Sequence, residues 1–272
     1  MLRLKIFLKE SLRRLGLNVS KLTASELIGE FVKKCCPVTT NHELIRIGHN
    51  RDGGYLVPND LDGIEACFSP GVAETASFEL EMAKRGIKSY LADYSVEAPP
   101  VQNELFYFEK RYLGNQETDV FMTLDSWVKK TSADEEKDLV LQMDIEGAEY
   151  DVLLDADPEI LNRFRIIVIE FHGLISLTDR FGYKNIDATF NRLLRTHAVV
   201  HIHPNNGSRR FMIGRYVIPN DMEFTFLRRD RIAYSEPTTT FPHILDFPCN
   251  PNEEDVKLPA CWYNHNTELA SP

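Results

Sequence analysis

The chain has 272 residues, 43% hydrophobic and 26% charged, with a formal net charge of −10. It is long enough for a substantial core in one large domain or two small ones, and the acidic balance argues against a nucleic-acid binder held by phosphate contacts. Five cysteines, at 35, 36, 67, 249 and 261, include no Cys-x-x-Cys pair, which speaks against a zinc ribbon and for reduced thiols in a cytoplasm.

The first 21 residues carry six basic side chains (Arg3, Lys5, Lys9, Arg13, Arg14, Lys21) against one acid, Glu10. Leu2, Ile6, Leu8, Leu12 and Leu15 recur at helical spacing among them, which predicts a basic amphipathic helix over 2–17. Such a helix docks on an anionic membrane surface or packs on its own domain or on a second subunit. Charges interrupt its apolar residues, so it is no signal peptide. No apolar run reaches the ~18 residues of a membrane span. A cytoplasmic protein is expected, with peripheral membrane contact through residues 1–21 left open.

A second helix is predicted over Ser25–Cys36, stopped by Pro37. Asp52-Gly53-Gly54-Tyr55 marks a turn. Ile64–Ser69 reads as a strand, Pro70–Thr75 as a loop, Ser77–Arg85 as a helix stopped by Gly86, and Ile87–Ala92 as a strand closing on Asp93. That is a βαβ unit, with a right-handed crossover expected. Phe106–Leu113 reads as one aromatic-rich strand. A helix starts at Leu124 with Asp125 as its cap, and Glu135–Asp138 is a solvated turn. Then come a strand over Leu139–Met143 ending in Asp144 and Glu146, a helix over Glu149–Leu154, and a strand over Arg165–Phe171 closing on Glu170, His172 and Gly173. A helix through Phe190 and Leu194 leads to a strand over Ala198–Ile202 and its His203-Pro204-Asn205-Asn206 end. Met222–Leu227 alternates and reads as an edge strand. Three segments result: an N-terminal helical extension, 1–50; a catalytic domain, 51–235; and an irregular C-terminal wrap, 236–272.

Alternating strands and helices predict an α/β fold, a mostly parallel sheet covered on both faces. Several strands end in polar residues, the layout of a crevice site. The loop after the first strand of the βαβ unit has one glycine, Gly71, and an acid, Glu74, rather than Gly-x-Gly-x-x-Gly. An acidic loop disfavours a pyrophosphate. S-adenosylmethionine, which has a positive charge and an amine, suits it better, with Glu74 or a nearby backbone group meeting the amino acid portion. Asp93, some 20 residues beyond Gly71, has the position of a ribose-binding acid or of a turn cap.

The chain resembles the FkbM-type family of S-adenosylmethionine-dependent methyltransferases. The segments that carry the resemblance are Phe68–Glu74 with Ser77-Phe78-Glu79, Leu124–Trp127, Met143-Asp144-Ile145-Glu146-Gly147-Ala148-Glu149, Ile169-Glu170, and His201–Asn206. It covers about 52–251, and the Asp-x-Glu-Gly-Ala-Glu segment is its most specific part. The first loop, Ser69–Glu74, departs from the family's usual Asp-x-Gly-Ala-type sequence. The resemblance implies a seven-stranded Rossmann-like fold, Gly71 against the methionine portion, Asp93 on the ribose, and Asp144 near the sulfonium and the acceptor. It favours a sugar, glycan or secondary-metabolite hydroxyl as the acceptor.

Methyl transfer is an in-line displacement, so much of the catalysis is positioning, and an alcohol acceptor needs help losing its proton. His172 is the candidate base, with Glu170 to orient it or serve instead. Asp144, Glu146, Glu170, His172 and His203 have the chemistry for a hard divalent ion such as Mg²⁺; carboxylates at strand ends are common without one, and no metal is expected. Glu146 and Glu149 are alternatively caps of the helix after Gly147. His203 with Asn205 or Asn206 is expected to contact the acceptor, His201 to be structural, and Tyr55 to line the acceptor site if its turn folds over the crevice. Two rival readings remain: a cofactor-binding or scaffold protein that kept the fold without activity, and another Rossmann-type enzyme acting on nucleotide sugars.

Overall fold

The computed structural model describes residues 10–12, 14–16, 21–131 and 137–264. The helix expected over 2–17 therefore lies largely outside the described residues, as do Glu135 and Glu136. Seven strands form the central sheet: β1 Ala66–Pro70, β2 Lys88–Ala92, β3 Phe106–Glu109, β4 Leu139–Met143, β5 Phe164–Phe171, β6 His197–Pro204 and β7 Met222–Arg228. They lie in the order β6-β7-β5-β4-β1-β2-β3. All are parallel except β7, which runs antiparallel between β5 and β6. This is a Rossmann-like architecture. The strand order reverses between β1 and β4, which opens a crevice at their carboxyl ends.

Strand β5 is buried along its whole length, as a strand covered on both faces must be. Its alternate residues enter two cores. Ile167, Ile169 and Phe171 face one core with Leu141 and Met143 of β4 and Phe224 and Phe226 of β7. Ile166 and Val168 face the other with Val140 and Leu227.

The first core is roofed by helices α1 Ser25–Lys34, α3 Leu124–Thr131, α4 Glu149–Asp155 and α6 Arg180–Leu194. The second is closed by α2 Ser77–Lys84 and by an antiparallel hairpin, Leu44–Ile47 with Tyr55–Pro58. A short helix, α5 Pro158–Arg163, precedes β5. No helix among the described residues is long and apolar enough to cross a membrane.

Four expectations are corrected. The described part of the 1–50 extension is not a separate unit: Phe31 of α1 meets Phe190 edge-on at 5.0 Å and Trp262 at 6.3 Å, and Val38–Thr40 pairs with Ser235–Pro237. Burying these aromatics ties both ends of the chain to one core. Strand β7 is not an edge, because it bonds to both neighbours; its alternation comes from Glu223 and Thr225 entering a buried polar layer. The stretch 106–113 breaks after Glu109, and Tyr112–Leu113 pairs instead with Phe121–Met122.

The fourth correction concerns two aspartates. Thr123, not Asp125, caps α3, its Oγ1 accepting from the Ser126 amide at 3.2 Å. Asp125 accepts from the Asp157 amide at the start of α5. Asp138 is not in a solvated turn: Arg165 and Arg228 hold it at 2.7 and 2.6 Å.

Candidate functional site

A cavity of about 670 Å³ opens at the carboxyl ends of β4, β1 and β2. Gly71 has φ +88°, and a Cβ there would fall onto the Asp144 carbonyl oxygen. Only glycine lets the β1 turn pass so close to the β4 end. Two hydrogen bonds fix that approach, Gly71 N–H to Ala92 O at 2.9 Å and Asp144 N–H to Pro70 O at 3.3 Å. Glu146 (φ +56°) and Gly147 (φ +104°) then reverse the chain into α4.

Six acids line the cavity, namely Asp52, Glu74, Glu79, Asp93, Asp144 and Glu146, and no Lys, Arg or His does. Strand order ranks its contents: Asp144 beyond β4, Gly71 beyond β1, Asp93 beyond β2, and Tyr112, Leu113 and Phe121 on the far side. One end is anionic and the other aromatic. A lining of this kind favours a cation over a phosphate.

Asp93 is 4% exposed. One carboxylate oxygen accepts from the Ala73 amide at 3.0 Å, the other from the Ser95 amide at 2.8 Å and the Ser95 hydroxyl at 2.7 Å. It is thus both a turn cap and a cavity-lining acid. Three bonds leave about one acceptor position free, two if the Ser95 hydroxyl turns away. Oδ1 of Asp144 is buried without a hydrogen-bond partner among the described residues. Burial, reinforced by the charges of Asp52, Glu146 and Glu149 and only partly opposed by His172, raises the Asp144 carboxyl above the usual carboxylate range. Burial likewise lifts Glu79 to about 7, against the hydrogen bond from Ser69.

Beside the cavity His172 sits among four carboxylates. Nδ1 lies 3.1 Å from Glu149, and Nε2 3.7 Å from Asp144, 3.7 Å from Glu146 and 3.8 Å from Glu170. Burial pulls its pKa down, but the Glu149 hydrogen bond and the charges of Glu149, Glu170 and Asp144 outweigh that and raise it. Glu149, fully buried, also accepts from the Ile145 and Gly147 amides at 3.1 Å each. One carboxylate therefore clamps both the turn after Asp144 and the imidazole. Tyr150 donates to the His172 carbonyl at 2.9 Å.

The structure brings Gly71, Glu74, Asp93, Asp144 and Tyr55 to one cavity, with Tyr55 on a hairpin strand and Asp52 and Gly53 leading into it. It leaves out His172, Glu170, His203 and Asn205. Both ring nitrogens of His172 face carboxylates, which places it as a charge partner of Asp144 and Glu149 outside the cavity lining. Burial and the charges of Asp144 and Glu223 raise the Glu170 carboxyl well above the usual carboxylate range, and Asn205 donates to its Oε1 at 2.6 Å. Asn205 thus steadies a buried acid. His203 is engaged by Glu223 and Asp255, apart from the residues that line the cavity. His201 is structural, bound to Asp246 at 2.8 Å.

The sequence reading missed Glu79 and Gln142 in the lining. The Ser69 hydroxyl lies within hydrogen-bond reach of both side chains, 2.6 Å from Gln142 Oε1. Gln142 was detectable, being two residues before Asp144 on the same strand face. Glu79 belongs to a segment that carries the resemblance, but an acid in the first turn of a helix is routine and nothing marked it as lining the site.

Atoms of Asp144, Glu170 and His172 gather within 4.8 Å of one another, the spacing of a cation site. Residues 88–196 match the family model described as the methyltransferase FkbM domain. The match runs from the start of β2 to the turn before β6. It includes Asp93, Asp144, Glu149, Glu170 and His172, and leaves Tyr55, Gly71, Glu74 and Glu79 on one side and His203 and Asn205 on the other. No curated protein matches the chain significantly. The matched region thus holds the tips of β2, β4 and β5, and flanking segments complete the cavity.

Proposed function

We propose that the protein is an S-adenosylmethionine-dependent O-methyltransferase acting on a hydroxyl of a sugar, glycan or secondary metabolite. The observation that carries this reading is the cavity lining: six acids, no basic side chain, and a buried Asp144 oxygen without a partner among the described residues. A sulfonium and an ammonium match such a lining, and so does the order of its parts. The methionine portion would lie between Gly71, Glu74 and Asp144, the ribose at Asp93 and Ser95, and the adenine against Tyr112, Leu113 and Phe121. S-adenosylmethionine supplies, when bound, a methyl group activated for displacement.

The chain's own residues do the rest. Asp144, with its raised affinity for protons, takes the proton of the acceptor hydroxyl; a base working near its own pKa is effective. The His172 cation, fixed by Glu149, keeps the Asp144 carboxylate in place and limits how far burial raises it. Tyr55 and Asp52, brought over the crevice by the hairpin, are the proposed acceptor contacts. Residues 1–21, through their basic charge, would bring the enzyme to an anionic membrane surface and to lipid-linked glycans there.

Calorimetry with S-adenosylmethionine and its demethylated product tests the cofactor. Micromolar binding is expected, weakened about 10- to 100-fold in Asp93→Ala, the loss of one or two hydrogen bonds to a charged group. No binding by the folded chain ends the proposal. Asp144→Asn should lower methyl transfer at least about 100-fold in a screen of glycans and metabolites run with and without EDTA. Turnover unchanged by that substitution removes Asp144 as the base. Binding without transfer to any acceptor would favour the inactive scaffold.

A further inference from the structure

Away from the cavity, the carboxyl edge of the sheet holds a second cluster. Register pairs His203 of β6 with Glu223 of β7, and the C-terminal wrap brings Cys249 against them. His203 Nδ1 is 3.4 Å from Glu223 Oε2, and Cys249 Sγ is 3.3 Å from Glu223 Oε1. The three residues are 3%, 7% and 7% exposed, and their donor atoms all lie within 4.8 Å of one another. We propose that they form a zinc site, His203 through Nδ1, Glu223 through both oxygens and Cys249 through Sγ, which fastens the wrap to the sheet.

Three observations converge on it. Zinc bonds of about 2.1 Å to N and O and about 2.3 Å to S place donors from different residues roughly 3.4 to 3.6 Å apart at tetrahedral angles, and the His203–Glu223 and Cys249–Glu223 separations of 3.4 and 3.3 Å are close to that. The other imidazole nitrogen, Nε2, faces Asp255 at 3.2 Å, the carboxylate partner that fixes a metal-ligating histidine in the right tautomer. Glu223 also stands directly across from Glu170, so two acids share one buried cross-strand position, and a divalent cation beside Glu223 offsets the negative charge gathered there. The nitrogen, oxygen and thiol donors select zinc over magnesium or calcium. Binding releases the Cys249 thiol proton and any proton on His203 Nδ1, while Nε2 keeps its own toward Asp255.

The site shares no residue with the cavity lining and does not depend on the proposed activity. Incubation of the full chain with zinc, removal of the excess and elemental analysis should give about one zinc per chain, with Tm raised and then lowered again by a chelator. With cobalt(II), a thiolate-to-metal charge-transfer band should appear in the near ultraviolet. Cys249→Ser should abolish both signals and Cys261→Ser should keep them, with circular dichroism confirming the fold of each. A folded wild-type chain that retains neither zinc nor cobalt overturns the proposal, as does a Cys249→Ser variant that retains both.

Discussion

Two buried carboxyls show how environment, not residue type, sets the chemistry of this crevice. Asp144 and Glu79 both line it and both are raised by burial, but their surroundings differ. Asp144 faces a cation and has an unpartnered oxygen, as a base must, whereas Glu79 is tied to Ser69. Burial raises the Glu79 carboxyl to about 7 in the fold, against an ordinary value of 4.5. The native state therefore holds more protons than the unfolded state in that window, and stability falls as pH rises through it, by about 3 kcal/mol in total. Glu79→Gln should remove that slope: urea unfolding should show the variant gaining on the wild type between pH 5 and pH 8. A constant difference at the two pH values would contradict this account. For catalysis, Asp144 must be ionised, so kcat/KM should fall with acid on a limb lying above the ordinary carboxylate range.

Among the elements, the turn after β1 and the turn after β4 make the site between them. Gly71→Ala would push a methyl group onto the Asp144 carbonyl, in a conformation that already disfavours side chains. It should cost at least about 2 kcal/mol and abolish cofactor binding, read by thermal unfolding and calorimetry together; an unchanged Tm would mean that the two turns do not meet as described. Glu149 matters equally, because its Oε1 accepts from two backbone amides and faces His172. The helix it opens, α4, exposes it to no solvent. Its Asp-x-Glu-Gly-Ala-Glu context was legible in the sequence, whereas its role as a clamp was not. A cap and a clamp differ only in which neighbours the fold brings within reach.

Across the whole molecule, charge is divided. The crevice is acidic, the opposite edge of the sheet carries the Asp60–Arg165–Asp138–Arg228 network, and the basic residues of 1–21 precede Leu22 in the chain. There Leu22 bridges Asp179, and Leu22, Phe181 and Met212 are 72%, 80% and 73% exposed. Basic charge near an anionic membrane contributes about 1 kcal/mol per residue. The full chain should therefore co-sediment with anionic vesicles at least tenfold better than a chain lacking residues 1–21. Equal binding would end the membrane reading.

From its own order of residues the chain determined its elements, the parallel α/β class and the glycine and acids at the tips of β1, β2 and β4, because hydrophobic period and turn chemistry are local properties. Only the tertiary structure decided that β7 inserts between β5 and β6, that the first helix shares the main core, that His172 is wrapped in acids, and that His203 turns toward Glu223 and Cys249. These depend on which segments meet across tens or hundreds of residues. Burial and opposed charge, which arise only at such meetings, fix the protonation state of each site residue and hence what it can do.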